Sequence, residues 1–140
     1  SYLKVKVLEL LLYLGTEKIQ NTQVKVPYFA HTQVKKVKEI QKYMVSNLRQ
    51  HYTLEQLSEQ FDIPLTSMKA CFKGVFGCSI YAYIKSYRMQ AATVLLQNSD
   101  CSITEIAMKM GYDNPSKFSE VFKKEYEMTP SEFRKKYIKA

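Results

Sequence analysis

The stretch TLEQLSEQFDI (53–63) returns, in the order of its apolar positions, as SITEIAMKMGY (102–112). Leu54, Leu57, Ser58 and Phe61 fall on Ile103, Ile106, Ala107 and Met110 at an offset of 49. Beyond the next turn the offset is 50: Met68 falls on Phe118, Phe72-Lys73 on Phe122-Lys123, Phe76 on Tyr126, Ser79 on Thr129 and Tyr83 on Phe133. A repeat kept chiefly at apolar positions implies that one local core is built twice. Two copies without tetratricopeptide or ankyrin signatures speak against a solenoid.

The boundaries of each copy are written in capping chemistry. Thr53 is followed at the third position by Gln56, Ser102 by Glu105 and Thr129 by Glu132. In this arrangement the hydroxyl accepts from a free amide of the first turn and the third side chain reaches back. Pro130 suits the first helical position, where its missing N–H costs nothing, and Asn114-Pro115 repeats the cap-then-proline order. Helices are therefore predicted to start near 54, 103, 115 and 130. Upstream, Val37, Ile40, Met44 and Leu48 form one helical stripe, and no alternating strand pattern follows Thr32. The fold class is all-α, with about seven helices and an extra one at the N-terminus.

Within each copy the spacing is that of a helix-turn-helix, at about 54–76 and 103–126. Ala107 is small and lies four residues before Gly111, so a second helix can cross closely. Gly111 tolerates the left-handed backbone that such a turn needs. Ser58 and Asp62 hold these places in the first copy. Between the copies, Ile80, Tyr83/Ile84, Tyr87, Ala91 and Val94/Leu95 form one long stripe on a helix from about 80 to 96. Such a helix is about 25 Å long and would act as a spacer.

The second helix of each motif has two faces. Leu65, Met68, Phe72, Val75 and Phe76 point inward by spacing, and Thr66, Lys69, Ala70 and Lys73 lie opposite. In the second copy Phe118, Val121 and Phe122 are inside, with Ser116, Lys117, Glu120 and Lys123 or Lys124 outside. One polar face is ordinarily only a solvated face. Two copies in a chain of net charge +8 favour double-stranded DNA, with the two helices about 34 Å apart in successive major grooves. A helical protein–protein module is the alternative, and it would carry apolar residues on those faces. The three cysteines (Cys71, Cys78, Cys101) and two histidines (His31, His51) have no metal-ligand spacing. No nucleophile–base or paired-carboxylate arrangement is visible, so neither an enzyme nor a cofactor or metal site is expected. Arg88 reads as a structural ion pair in preference to a phosphate contact.

Residues 1–14 stand apart. Leu3, Val7, Leu10 and Leu14 make a helical seam, while Leu8, Leu11 and Leu12 make the other faces apolar too. The run is too short to span a bilayer and carries Glu9, so no membrane is implied and a cytoplasmic protein is expected. GTEKIQNTQVKVPYFA (15–30) loses the helical period and reads as a linker. Residues 1–30 are expected to be the tail of a larger upstream domain with its linker, and 31–140 the second domain. The seam serves equally as a homodimer contact or as a helix packed on its own domain.

The ordered string Ile106-Ala107, Gly111-Tyr112, Phe118-Ser119, Phe122-Lys123, Thr129-Pro130 and Phe133-Arg134, with FKGVFGCSIYAYIKSYRMQAATVLL (72–96) before it, resembles the AraC/XylS family of bacterial transcription regulators over residues 32–138. The resemblance implies two helix-turn-helix units joined by a linker helix, DNA binding in the nucleoid, and activation through RNA polymerase. It also makes residues 1–30 the remnant of a sensor or dimerisation domain with its linker. It assigns base-facing positions to Thr66, Lys69 and Ala70, with Ser67 and Lys73 toward the backbone. In the second unit it assigns Pro115, Ser116 and Glu120 to bases and Lys117 to phosphate, Asn114 and Lys123 completing the set. The family often has arginine where Ala70 stands, and Pro115 has no side-chain donor. Ala70 suits contact with a thymine methyl, and Glu120 suits a cytosine amino group.

Overall fold

The computed structural model describes residues 29–138. The expected helix at 1–14 and most of the 15–30 linker lie outside them. Within them are seven α-helices: α1 His31–Ser46, α2 Leu54–Gln60, α3 Leu65–Phe76, α4 Ile80–Asn98, α5 Ile103–Lys109, α6 Pro115–Tyr126 and α7 Pro130–Tyr137. The chain is all-α over this span, and α2–α3 and α5–α6 are the two helix-turn-helix motifs.

Local chemistry sets the helix starts where the caps predict them. The Thr53 and Thr129 hydroxyls accept from the amides of Gln56 and Glu132, and both capping boxes close. Ser102 accepts from Glu105 N, but no return bond from the Glu105 side chain forms. The turns are alike as well. Asp62 (φ 49°) and Gly111 (φ 85°) both adopt the left-handed conformation. Ile63 N donates to Ser58 O and Tyr112 N to Ala107 O, closing the two turns by the same bond. A second left-handed pair, Gly77 (φ 82°) and Glu127 (φ 62°), ends α3 and α6. Glu127 has no residue-type cue for it, but it is the counterpart of Gly77 at the repeat's offset of 50.

The repeat has a plain physical content. Phe72, Phe76 and Tyr83 form an aromatic triad with ring centroids 4.5, 5.5 and 5.2 Å apart. Phe122, Tyr126 and Phe133 form its counterpart at 4.8, 5.5 and 5.8 Å. The long edge-on contact matches closely, at 81° for Phe72–Tyr83 and 83° for Phe122–Phe133. Each triad pins the helix after the turn to the helix that follows it. Around the first triad, Val37, Ile40, Met44, Leu57, Met68 and Ile84 build one core; around the second, Met89, Ala92, Leu96, Ile106, Ala107 and Phe118 build another.

The stripe expected on α4 is buried at Ile80 and Ile84, and from there the buried line departs from it. Ile80, Ile84, Arg88, Ala92 and Leu96 are buried, joined by Met89, whereas Val94 is 55% exposed. Tyr87, Ala91, Val94 and Leu95 line an open groove of about 510 Å³ instead. A strict four-residue step advances about 40° around a helix of 3.6 residues per turn, so four steps turn the stripe through about 160°. The buried line therefore winds from one face of α4 to nearly the opposite one. A straight stripe would have placed both cores on the same side of the linker helix; the winding one places them on different sides.

Gly111 meets a second constraint besides its backbone angle. A Cβ there would stand 3.0 Å from Leu48 O, Arg49 O and His51 Nε2, whereas one at Gly77 would meet nothing within 4 Å. Gly77→Ala should therefore cost only the left-handed penalty, about 1–2 kcal/mol. Gly111→Ala should lose that and an overpacking penalty of about 1–3 kcal/mol more. Urea unfolding of the two variants checks this, and equal losses would show that the 48–51 segment yields freely.

Candidate nucleic-acid interface

The site is built from the exposed faces of α3 and α6. On α3 the buried line Met68, Cys71, Phe72 fixes the rotation of the helix, which leaves Thr66, Lys69, Ala70 and Lys73 exposed. Ser67 is half-buried at the edge of that face. Burial pushes the Cys71 thiol up, away from a reactive thiolate. On α6, Phe118, Val121 and Phe122 are buried, leaving Ser116, Lys117, Glu120, Lys123 and Lys124 exposed. Pro115 is half-buried at the first helical position. The two faces thus present the polar and basic residues expected of them.

Two of the expected residues already have work within the protein. The Asn114 side-chain oxygen accepts from Ser116 N at 2.9 Å and Lys117 N at 3.4 Å, so its acceptor is committed to the cap. Glu120 lies between Lys117 (4.0 Å) and Lys124 (3.7 Å) with its side chain 55% exposed. Exposed pairs of this kind are worth about 0–1 kcal/mol, so they hold Glu120 loosely. Neither α3 nor α6 has an acidic residue in its first turn. No carboxylate of the first turn therefore offsets the positive end of either helix dipole.

Behind these faces, two arginines perform the same task in the two units. Arg88 on α4 is 8% exposed. Its Nε donates to Leu48 O (3.0 Å) and its Nη2 to Gln50 O (2.9 Å). This corrects the expected ion pair: the role is structural, but the partners are carbonyl oxygens past the end of α1. Burial lowers the Arg88 pKa, while the nearby Tyr112, Tyr81 and Tyr52 act to raise it. Arg134 on α7 donates to Leu96 O (3.0 Å), Leu95 O (3.5 Å) and Ser99 O (3.2 Å) at the end of α4. Arg134 thus closes carbonyls at the end of a helix, Arg88 carbonyls of the loop that follows one, and in each case the donor comes from the helix after the recognition-type helix. The sequence offered no cue for this, since the acceptors are backbone atoms 35 to 40 positions away.

The arrangement is that of a double helix-turn-helix protein. A family model described as a helix-turn-helix domain matches residues 57–136. The HTH-type transcriptional regulator ExsA of Pseudomonas aeruginosa is 35% identical over 98 residues, which are 70% of this chain and 35% of that protein. The C-terminal domain of the response regulator yesN from Fusobacterium nucleatum superposes with a TM-score of 0.63 at 31% identity, covering 69% of this chain and 96% of that one. The DNA-binding domain of AdpA, solved with a target DNA, gives a TM-score of 0.68 at 21% identity, over 72% of this chain and 91% of that one, and shares the fold. The chain belongs to the AraC/XylS family of helix-turn-helix transcription regulators, which are not enzymes. It spans well under half the length of the curated relatives it matches, 40% of RhaR from Mannheimia succiniciproducens and 35% of ExsA. Among the described residues no helix is long and apolar enough to cross a membrane.

Asn114→Ala should lower stability by about 1 kcal/mol, and Asn114→Ser should recover most of it, because serine caps nearly as well. Thermal or urea unfolding measures both. No loss on truncation would free Asn114 for a contact outside the protein.

Proposed function

We propose that residues 31–140 bind double-stranded DNA sequence-specifically, with α3 and α6 entering successive major grooves on one face of the duplex. The observation that carries this reading is the pair of exposed faces, Thr66/Lys69/Ala70/Lys73 and Ser116/Lys117/Glu120/Lys123, each backed by the same aromatic triad. In this reading Thr66, Lys69, Ala70, Pro115, Ser116 and Glu120 meet base edges. Ser67, Lys73, Lys117 and Lys123 meet the sugar–phosphate backbone, and Asn114 shapes the first turn of α6. The relatives named as transcriptional activators support a role in activation. In this reading that role is exercised at RNA polymerase, in the bacterial cytoplasm and nucleoid. Residues 1–30 then supply the link to a sensor or dimerisation domain, the apolar seam at 1–14 being the contact.

Selection of bound duplexes from a random pool, followed by sequencing, tests the activity and reads the site together. Affinity should fall with salt, with a slope of log K against log salt of roughly −5 to −9 if six to ten phosphates are neutralised. Lys73→Ala and Lys117→Ala should each weaken all sequences alike and reduce the slope by about one. Salt-independent binding, or no duplex binding at low salt, would remove the reading altogether.

Glu120 separates base reading from plain charge. A carboxylate facing phosphate only repels, whereas one facing a cytosine amino group gives about 1–3 kcal/mol of discrimination. Glu120→Ala should relax preference at one base pair while keeping or raising affinity for unrelated duplex. Uniform tightening with an unchanged selected site would make Glu120 a rim charge that merely shields Lys117 and Lys124.

A further inference from the structure

The two units meet at a narrow seam formed by the segment between α1 and α2, residues 47–53. Among the described residues Leu48 is the one hydrophobic side chain packed against both cores. Arg88 holds the same segment from the linker helix through the carbonyls of Leu48 and Gln50. His51 reaches across to the second unit, where its Nε2 bonds Gly111 O. A carbonyl can only accept, so Nε2 carries the proton in this contact. Gly111 in turn sits in the turn that aims α6, and its Cα face lies so close to Leu48 O and Arg49 O that a Cβ would stand 3.0 Å from each. A segment of the first unit is thus bonded to the turn of the second, and the linker helix bonds to that segment.

We propose that His51 and Arg88 are positioning residues that set the spacing of the two DNA boxes this chain reads. The inference rests on the two-groove reading above and adds what holds the two helices in register. The α4 helix by itself fixes only a length. The second unit is held on the far half of α4 by its core and by Arg134 on the carbonyls of Leu95, Leu96 and Ser99. The 48–51 segment adds a tie from the first unit at a point next to the turn that aims α6. Neither residue needs to touch DNA. Arg88 is buried with two of its donor nitrogens engaged, and the His51 Nε2 is occupied by Gly111.

Such a brace acts on discrimination between spacings rather than on gross affinity. Inserting one base pair between the boxes displaces the second by about 3.4 Å along the duplex and rotates it as well. A rigid pair of helices cannot follow that change, whereas an unbraced pair can. The whole 140-residue chain is used, with the duplex enriched from the random pool and the same duplex carrying a one-base-pair insertion or deletion between its boxes. The quantity read is the ratio of Kd on the altered spacing to Kd on the enriched one. It is taken on the folded fraction, with thermal unfolding run in parallel.

The unaltered chain should show a penalty of about tenfold or more, the size of losing one good set of base contacts. In His51→Ala and Arg88→Met the ratio should fall toward unity. His51→Gln, whose amide N–H can still donate to Gly111 O, should keep the penalty. His51 is exposed, so His51→Ala carries the test even where Arg88→Met does not fold. A folded His51→Ala that retains the full penalty overturns the proposal, as does loss of the penalty in His51→Gln to the same extent as in His51→Ala. Two boxes enriched at any spacing by the unaltered chain overturn the brace while leaving DNA reading intact. A pool that enriches no duplex overturns the DNA reading itself, which tells the two failures apart.

Discussion

The carbonyls of Leu48 and Gln50, just past the end of α1, are closed by one guanidinium, and much of the architecture depends on that bond pair. Backbone carbonyls taken out of water must find donors. A buried arginine carries several donors in a fixed fork and keeps its charge at ordinary pH. Because Arg88 stands on α4, closing these loop carbonyls also ties the segment after α1 to the helix shared by both units. The segment it holds then supplies the surface against which the Gly111 turn is seated. Take the guanidinium away and three things lose their anchor together: the α1 end, the seam and the aim of α6.

Duplication explains why so few kinds of interaction suffice. The aromatic triad, the left-handed turn and the arginine on backbone carbonyls each occur twice, with different residues allowed where the geometry tolerates them. Asp62 stands for Gly111, and Tyr83 for Phe133. Ser58 stands for Ala107 and adds something, since its hydroxyl donates to Ile63 O at 2.6 Å across the turn. Asp62 is tolerated in its turn because that turn faces open surroundings, with its carbonyl taken by Lys36. Gly111 has no such latitude, because its turn is pressed against the neighbouring unit.

What could be read in the sequence was what is decided locally. Caps at Thr53, Asn114 and Thr129, the turn at Gly111 and the inward lines of α3 and α6 depend on neighbours within four residues, and the structure has them where spacing puts them. The misreadings come from features decided at long range. On α4 both lines of residues share Ile80 and Ile84, and only the presence of two cores on different sides selects Arg88, Ala92 and Leu96 over Tyr87, Ala91 and Val94 beyond them. An arginine's partner is equally hidden when it is a backbone oxygen, because every residue type offers one. Glu127 in the left-handed region had no local cue at all. For the interface, the sequence showed which residues face out and that Asn114 caps α6, but not that Glu120 already has partners inside the protein.

The shared helix α4 has a consequence for how the chain acquires its structure. Starting a helix is costly because several residues must be fixed for the first hydrogen bond, whereas lengthening it adds about one bond per residue fixed. The first half of α4 is held by Ile80 and Ile84 in one core, and the second half by Met89, Ala92 and Leu96 in the other. Whichever core condenses first therefore nucleates α4 for both. The remaining half of the helix then grows by propagation and already presents the wall on which the second core assembles. Folding of one unit templates the other along a continuous backbone, so the pair gains cooperativity that its narrow seam would not provide.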